Sequence, residues 1–271
     1  MTETAGTVLE INLKRLEHNY RFLRSKIPHT TKMLAVVKAF AYGSDAIAVA
    51  LKLQALGANY FAVAYTSEGV QLRNAGITKP IMVLHPQISN FKTIIERCLE
   101  PSLYSARILN AFITVAQQEK QQDYPIHIKF NTGLNRLGFF ENDVDYVTKQ
   151  LNTSKAVKVT SLFSHLAASE DHNERDFSLN QINTFKKIAA NFKQKNQDNP
   201  FLHMTNTSGI LNYPEAHFDM VRTGIGLYGF GNDPKFNKSL LPIANLKTII
   251  SQIHHLEKGE TVGYNRTFKA T

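Results

Sequence analysis

The stretch Met33-Leu34-Ala35-Val36-Val37-Lys38-Ala39-Phe40-Ala41-Tyr42-Gly43 decides how this chain is read. Its first five residues are apolar and end on adjacent valines, the pattern of a strand buried on both faces in a parallel sheet. A lysine ammonium closing such a run is costly to bury unless it is paired, neutralised or covalently modified. Lysine is also the side chain that forms Schiff bases with aldehydes, and the desolvated amine is its activated form. Taken alone, Lys38 is better explained as a loop lysine whose stem lies on apolar surface while its head reaches water. The rest of the chain changes that balance.

Outward from this stretch, short apolar strands alternate with helical segments from about residue 33 to 230. Strands are predicted near 33–38, 59–64, 80–84, 99–103, 124–130, 156–164, 201–205 and 218–222. Amphipathic helices are predicted at 44–56, closed by Gly57, and near 66–75, 105–119, 141–151 and 174–195. The repeated alternation predicts a (β/α)8 barrel of the TIM type, with a doubly wound open sheet as the alternative. Polar residues just after the strands, along the whole length, favour the barrel. Before it, residues 7–13 alternate like a half-exposed strand and 14–26 read as a helix. After it, 243–254 reads as a long strand, 258–260 as a turn and 261–264 as another strand. The expected organisation is therefore a barrel over 1–235 and, over 236–271, the incomplete start of an all-β domain, with 7–13 as a candidate strand of that domain.

Composition narrows the class. The chain has 271 residues, 43% apolar and 20% charged, which suits one large α/β domain or two small ones. No apolar run approaches the ~20 residues of a membrane span. The segment Met1–Gly6 lacks the basic and apolar regions of a signal peptide. The single cysteine, Cys98, excludes an intrachain disulfide and fits a reducing compartment, so a cytoplasmic location is expected. Cys98 ends the amphipathic segment 91–98 and reads as a packed core thiol. The net charge of +9 comes from scattered basic residues, with Lys186, Lys187 and Lys193 on the polar side of a helix. That pattern argues for a solvated surface and an attraction for small anions, and against a nucleic-acid site.

In a barrel, the C-terminal strand ends converge on one pocket. Those positions hold Lys38, Tyr42, Lys129, Arg136, His165, Asn206, Thr207, Ser208, Arg222 and Gly224. The set has no Asp/Glu cluster for a metal and no carboxylate pair for hydrolysis. Arg222-Thr223-Gly224-Ile225-Gly226-Leu227-Tyr228-Gly229 brings glycines and backbone N–H groups to the last strand end, where barrels often bind phosphate. A phosphate cradle together with a strand-end lysine points to pyridoxal 5'-phosphate.

These residues resemble the motifs of the alanine racemases, the fold-type III pyridoxal-phosphate enzymes. Val37–Gly43 is similar to their cofactor-lysine motif, Lys129–Phe139 to their substrate-arginine segment, and Ser164–Ala167 to the segment of the histidine beside the ring. His203–Ser208 and Val221–Gly229 complete the barrel, and Val262–Phe268 resembles the segment carrying a second catalytic base. The resemblance covers essentially the whole chain. It implies that Lys38 holds pyridoxal 5'-phosphate as a Schiff base and moves the α-proton on one face. Tyr264 of a partner subunit would act on the other face. It also implies that Tyr42, Thr207, Gly224 and Ile225 hold the phosphate, with Asn206 and Ser208 nearby. His165 would stack on the ring, Arg222 would face the ring nitrogen, and Arg136 would contact the substrate carboxylate. Lys129 matches a position that some members carbamylate.

Three places depart from the family pattern: Phe40, Ser44-Asp45 and Asn135. Full-length members also continue well beyond the point where this chain stops, so poor activity of the chain alone is expected. The function implied is interconversion of L- and D-alanine by two bases in a homodimer, supplying D-alanine for peptidoglycan. Two alternatives remain. A decarboxylase of the same fold needs an acidic partner at the ring nitrogen, where this chain offers Arg222. A non-enzymatic barrel that binds pyridoxal phosphate would stop before residues 243–264.

Overall fold

The computed structural model describes residues 6–196 and 198–271. Residues 1–5 of the segment read above for a signal peptide, and Gln197, lie outside the described residues. An N-terminal strand β1 (Thr7–Ile11) ends where Asn12 caps the helix Leu13–Arg24, its Oδ1 accepting from the N–H groups of Lys14 and Arg15 at 3.1 Å. Eight parallel strands then close into a barrel. They are β2 (Lys32–Val36), β3 (Tyr60–Val63), β4 (Ile81–Val83), β5 (Glu100–Leu103), β6 (Tyr124–Lys129), β7 (Val157–Phe163), β8 (Phe201–His203) and β9 (Met220–Thr223). The closing pair is β2 with β9, in the register Leu34 to Arg222 and Ala35 to Thr223.

Strand period two divides the core into two layers. Met33, Ala35, Phe61, Val83, Ile126 and Ile128 face outward and pack under the helices with Phe91, Phe112, Phe185 and Phe192. Leu34, Val36, Tyr60, Ala62, Met82, Phe163 and Met220 face inward. The later strands also turn polar side chains inward: Glu100, His127, Ser161, His203 and Arg222 are all buried.

The chain divides into two compact units, the barrel over 11–244 and a smaller one that pairs β1 with residues 245–271. Here the sequence-based expectation needs correction. The long strand at 243–254 is only β10 (Ala244–Thr248), because its ladder with β1 runs out at the bond from Ile249 N–H to Gly6 C=O, 3.1 Å. The strand expected at 261–264 is Thr261–Val262, paired with Phe268–Lys269, and Tyr264 starts a single 3-10 turn. Cys98 is exposed rather than packed: its helix ends at Glu96, and the residue sits at φ 49° in the turn into β5, which directs its side chain to solvent.

The loop after β6 is drawn into a neck. Phe139 N–H donates to Lys129 C=O at 2.9 Å, and Asn131 N–H donates to Phe139 C=O at 2.7 Å. Gly138 makes this possible, since at φ 131° a Cβ would lie 2.6 Å from the Asn131 nitrogen and 2.7 Å from the Phe130 carbonyl carbon. Those neighbours are backbone and cannot yield. Gly138→Ala is expected to cost at least ~2 kcal/mol in denaturant melts. A loss below ~0.5 kcal/mol, the range of neutral surface changes, would show that the loop does not close this way.

Candidate active site

A cavity of about 360 Å³ opens at the C-terminal mouth of the barrel. It is lined by Lys38, Tyr42, Lys129, Arg136, His165, Asn206, Thr207, Ser208, Arg222, Gly224 and Ile225, together with Val36, Ala64, Leu84, His85, Leu137, Phe163 and Asn232. Four lining side chains are cationic, and among the described residues no Asp or Glu lines it. No group of three or more metal-ligating side chains occurs among the described residues. The pocket is shaped electrostatically for an anion.

Lys38 enters from the end of β2. Beyond it Ala39, Phe40, Ala41 and Tyr42 have φ between 51° and 56°, a left-handed turn that L-residues adopt at a cost. Glu68 holds that turn in place. One carboxylate oxygen accepts from Ala39 N–H at 2.6 Å, and the other accepts from Ala64 N–H at 2.6 Å and Tyr65 N–H at 3.0 Å. The turn returns Tyr42 to the pocket, where its ring packs on Tyr228 with centroids 4.7 Å apart. Burial pushes the Tyr42 phenol up, so it remains a hydrogen-bond donor at neutral pH. The departures from the family pattern are local: Phe40 is exposed, Ser44 bonds Ala41 C=O, Asp45 caps the next helix, and Asn135 takes φ 54°, where asparagine is tolerated.

Across the pocket lies a cradle of small residues. A Cβ on Gly224 would sit 2.5 Å from the Tyr42 hydroxyl, and one on Gly226 would sit 2.5 Å from Thr207 Cγ2. Thr207 Oγ1 accepts from the N–H groups of Gly224 at 3.3 Å and Gly226 at 3.1 Å. With its acceptor capacity taken, the Thr207 hydroxyl is left to donate into the cavity. Ser208 accepts from Asn232 Nδ2 at 3.2 Å. Asn206 caps the helix Thr207–Asn212, its Oδ1 accepting from Gly209 N–H and Ser169 Oγ, both at 2.8 Å. Its role here is to orient the cradle.

Arg222 projects from β9 into the floor of the pocket. Its Nη2 donates to Ser164 C=O at 2.6 Å, Met204 C=O at 2.8 Å and His165 Nδ1 at 3.0 Å, and its Nη1 donates to His203 Nδ1 at 2.6 Å. Burial pulls the guanidinium down to about 9, so it keeps its proton at neutral pH. Burial and the Arg222 charge hold the His165 imidazole well below its usual range, hence neutral. Lys129 lies 5.8 Å from the Phe163 ring centroid. Burial, then the charges of Arg222, Arg136 and Lys38, pull its amine down to about 8. Arg136 reaches the cavity from the exposed tip of the neck.

One expected site residue lies elsewhere. Tyr264 belongs to the smaller unit, fully exposed, and does not line this pocket. The sequence reading in turn passed over Glu68, His203, His85 and Asn232. Glu68 at the third helical position carried a visible signal, since a glutamate there reaches back to cap its own helix. Its second contact, to Ala39, is tertiary and leaves no local trace.

This fold and pocket define a (β/α)8-barrel enzyme with an anion-binding mouth. Residues 11–232 match the model of the alanine racemase N-terminal domain. The alanine racemase of Thermodesulfovibrio yellowstonii is 34% identical over 262 residues, spanning 96% of this chain and 68% of that protein. The solved alanine racemase of Clostridium difficile 630 superposes with TM-score 0.91 at 28% identity, covering 99% of this chain and 71% of that one. That of Bartonella henselae, solved with covalently bound pyridoxal phosphate, superposes with TM-score 0.87 at 26% identity, covering 98% and 73%. The chain belongs to the alanine racemase family.

Lys129 gives the site a measurable pH signature. Its folded value of about 8 lies below the ordinary 10.5, so above about 8 the unfolded chain binds the extra proton. The cost of burying the charge is full below about 8 and disappears as pH rises to 10.5. Wild type is therefore expected to gain stability relative to Lys129→Met across that window in urea titrations. A constant difference would show that Lys129 is not buried as a cation.

Proposed function

We propose that this chain binds pyridoxal 5'-phosphate in the barrel mouth and belongs to an enzyme that interconverts L- and D-alanine. The observation that carries the reading is the meeting of Lys38, Arg222 and the glycine cradle in one cation-rich cavity. The residues fit the group. An aldehyde needs the Lys38 amine, and a phosphate dianion needs donors and close backbone approach. Tyr42, Thr207 and Ser208, with the space kept by Gly224 and Gly226, meet that need.

When bound, the cofactor supplies the electron sink that makes the α-proton of an amino acid removable. Lys38 would hold its aldehyde carbon, and the cradle its phosphate. Arg222 would donate to the ring nitrogen, and a guanidinium that keeps its own proton leaves that nitrogen unprotonated. His165 would lie against the ring. Arg136 would take the substrate carboxylate, with Lys129 beside it in the amine or carbamylated form. The Lys38 amine would remove or return the α-proton on one face. Tyr264 of a second copy would do so on the opposite face, so a homodimer completes the site. Residues 236–271 would then be the opening of the β domain that presents Tyr264. Among the described residues no helix is long and apolar enough to cross a membrane, which accords with a cytoplasmic enzyme supplying D-alanine for the cell wall.

Borohydride reduction of the loaded chain and peptide mapping are expected to place a pyridoxyl group on Lys38. A label on another residue, or none on folded protein, sinks the cofactor assignment. In a dimeric form of the enzyme, Tyr264→Phe should slow α-proton exchange from L-alanine by ~100-fold or more, with a much smaller effect on D-alanine. Equal slowing of both would remove its one-face role.

A further inference from the structure

Behind Arg222 a line of polar side chains crosses the barrel interior, one from each of five adjacent strands. Arg222 on β9 contacts His203 on β8 at 2.6 Å, and His203 Nε2 lies 2.9 Å from Ser161 Oγ on β7. Ser161 Oγ lies 2.6 Å from His127 Nδ1 on β6, and His127 Nε2 lies 2.8 Å from a Glu100 carboxylate oxygen on β5. All five residues are buried, and only Arg222 lines the pocket.

With His127 as the neutral imidazole, the protons in this line have one consistent arrangement. A guanidinium only donates, so His203 Nδ1 must be the bare nitrogen and Nε2 must carry the hydrogen. Ser161 then accepts from His203, and its own O–H is left for His127 Nδ1. His127 in turn carries its hydrogen on Nε2 and donates to Glu100, which as a carboxylate only accepts. Burial and the Arg222 charge hold His203 well below its usual range, which keeps the middle of the line neutral. Tyr60 faces Glu100 from β3, and its phenol, pushed up by burial and by that carboxylate, stays protonated. In this arrangement the Arg222 guanidinium at the pocket is joined to the Glu100 carboxylate deep in the barrel through His203, Ser161 and His127, whose hydrogen bonds all run the same way.

We propose that Glu100 is a positioning residue for Arg222. Through Ser161 and the two histidines it fixes both tautomers and locks the guanidinium as a donor aimed at the ring nitrogen of the bound cofactor. This inference rests on the proposed function for its cofactor half only. The tautomer half concerns the chain without any ligand.

Long-range proton–nitrogen NMR on the chain labelled with 15N-histidine, without cofactor, is expected to show His127 and His203 as pure Nε2–H tautomers. An Nδ1–H tautomer or an imidazolium at either position in wild type overturns the proposal, and this arm needs no variant. Glu100→Gln presents an amide that can donate to His127, so His127 is expected to become a mixture of tautomers. In the loaded protein, Glu100→Gln and Ser161→Ala are each expected to weaken pyridoxal-phosphate binding by roughly tenfold and to move its visible absorbance maximum. The double variant is expected to be no worse than either single one, since both cut the same line. Unchanged affinity and absorbance in well-folded variants would reduce the line to a packing feature and end the positioning role. If wild type itself fails to take up pyridoxal phosphate, the functional reading falls and the cofactor half falls with it. The tautomer result is then decided separately.

Discussion

The pairing of β2 with β9 is the constraint on which the rest of the molecule depends. It sets Leu34 beside Arg222 and Ala35 beside Thr223, joining the first barrel strand to the last. Nothing local in the sequence rewards this contact, and its loop-closure entropy must be met by the strands and helices packed in between. Once made, it puts the residues after β2, Lys38 and Tyr42, against the residues after β9, Gly224 and Ile225. An attachment point for an aldehyde and a cradle for a phosphate become neighbours by strand register alone.

The pocket formed this way collects like charges. Lys38, Lys129, Arg136 and Arg222 all line one cavity, and no carboxylate among the described residues does. Such an arrangement opposes folding, and functional sites commonly carry a cost of this kind. Part of it is met from behind, where Arg222 spends its hydrogen bonds on two backbone carbonyls and two imidazoles. The remainder falls to an anionic ligand. Uncompensated positive charge is thus both a weakness of the empty barrel and its basis for selecting ligands.

The sequence discloses these features unevenly, and for physical reasons. The barrel strands were legible because each is a short apolar run closed by turn residues, and their expected positions agree with the observed ones within a few residues. The pocket residues were legible because a barrel gathers its strand ends, so eleven of the twelve residues singled out line one cavity. His127, Ser161 and His203 were passed over because they occupy inward strand positions. From sequence alone, a polar residue inside a strand cannot be told from one facing solvent. Residues 249–254 misled for the converse reason: Ile249, Ile250 and Ile253 have a strand's composition, but all three are exposed, and the ladder with β1 ends at the Ile249 bond to Gly6. Cys98 was misplaced because it falls two residues past the end of its helix at Glu96.

The left-handed turn after Lys38 has a consequence for where this barrel opens first. Four successive L-residues in that conformation cost ~1–2 kcal/mol each, and few local contacts offset it: the Glu68 bonds and the Tyr42–Tyr228 packing are the main ones. Segments balanced like this open first in an otherwise folded domain. A ligand that engages both Lys38 and Tyr42 raises the cost of that opening. Occupancy of the pocket would therefore protect this turn in particular from local opening and from proteolysis.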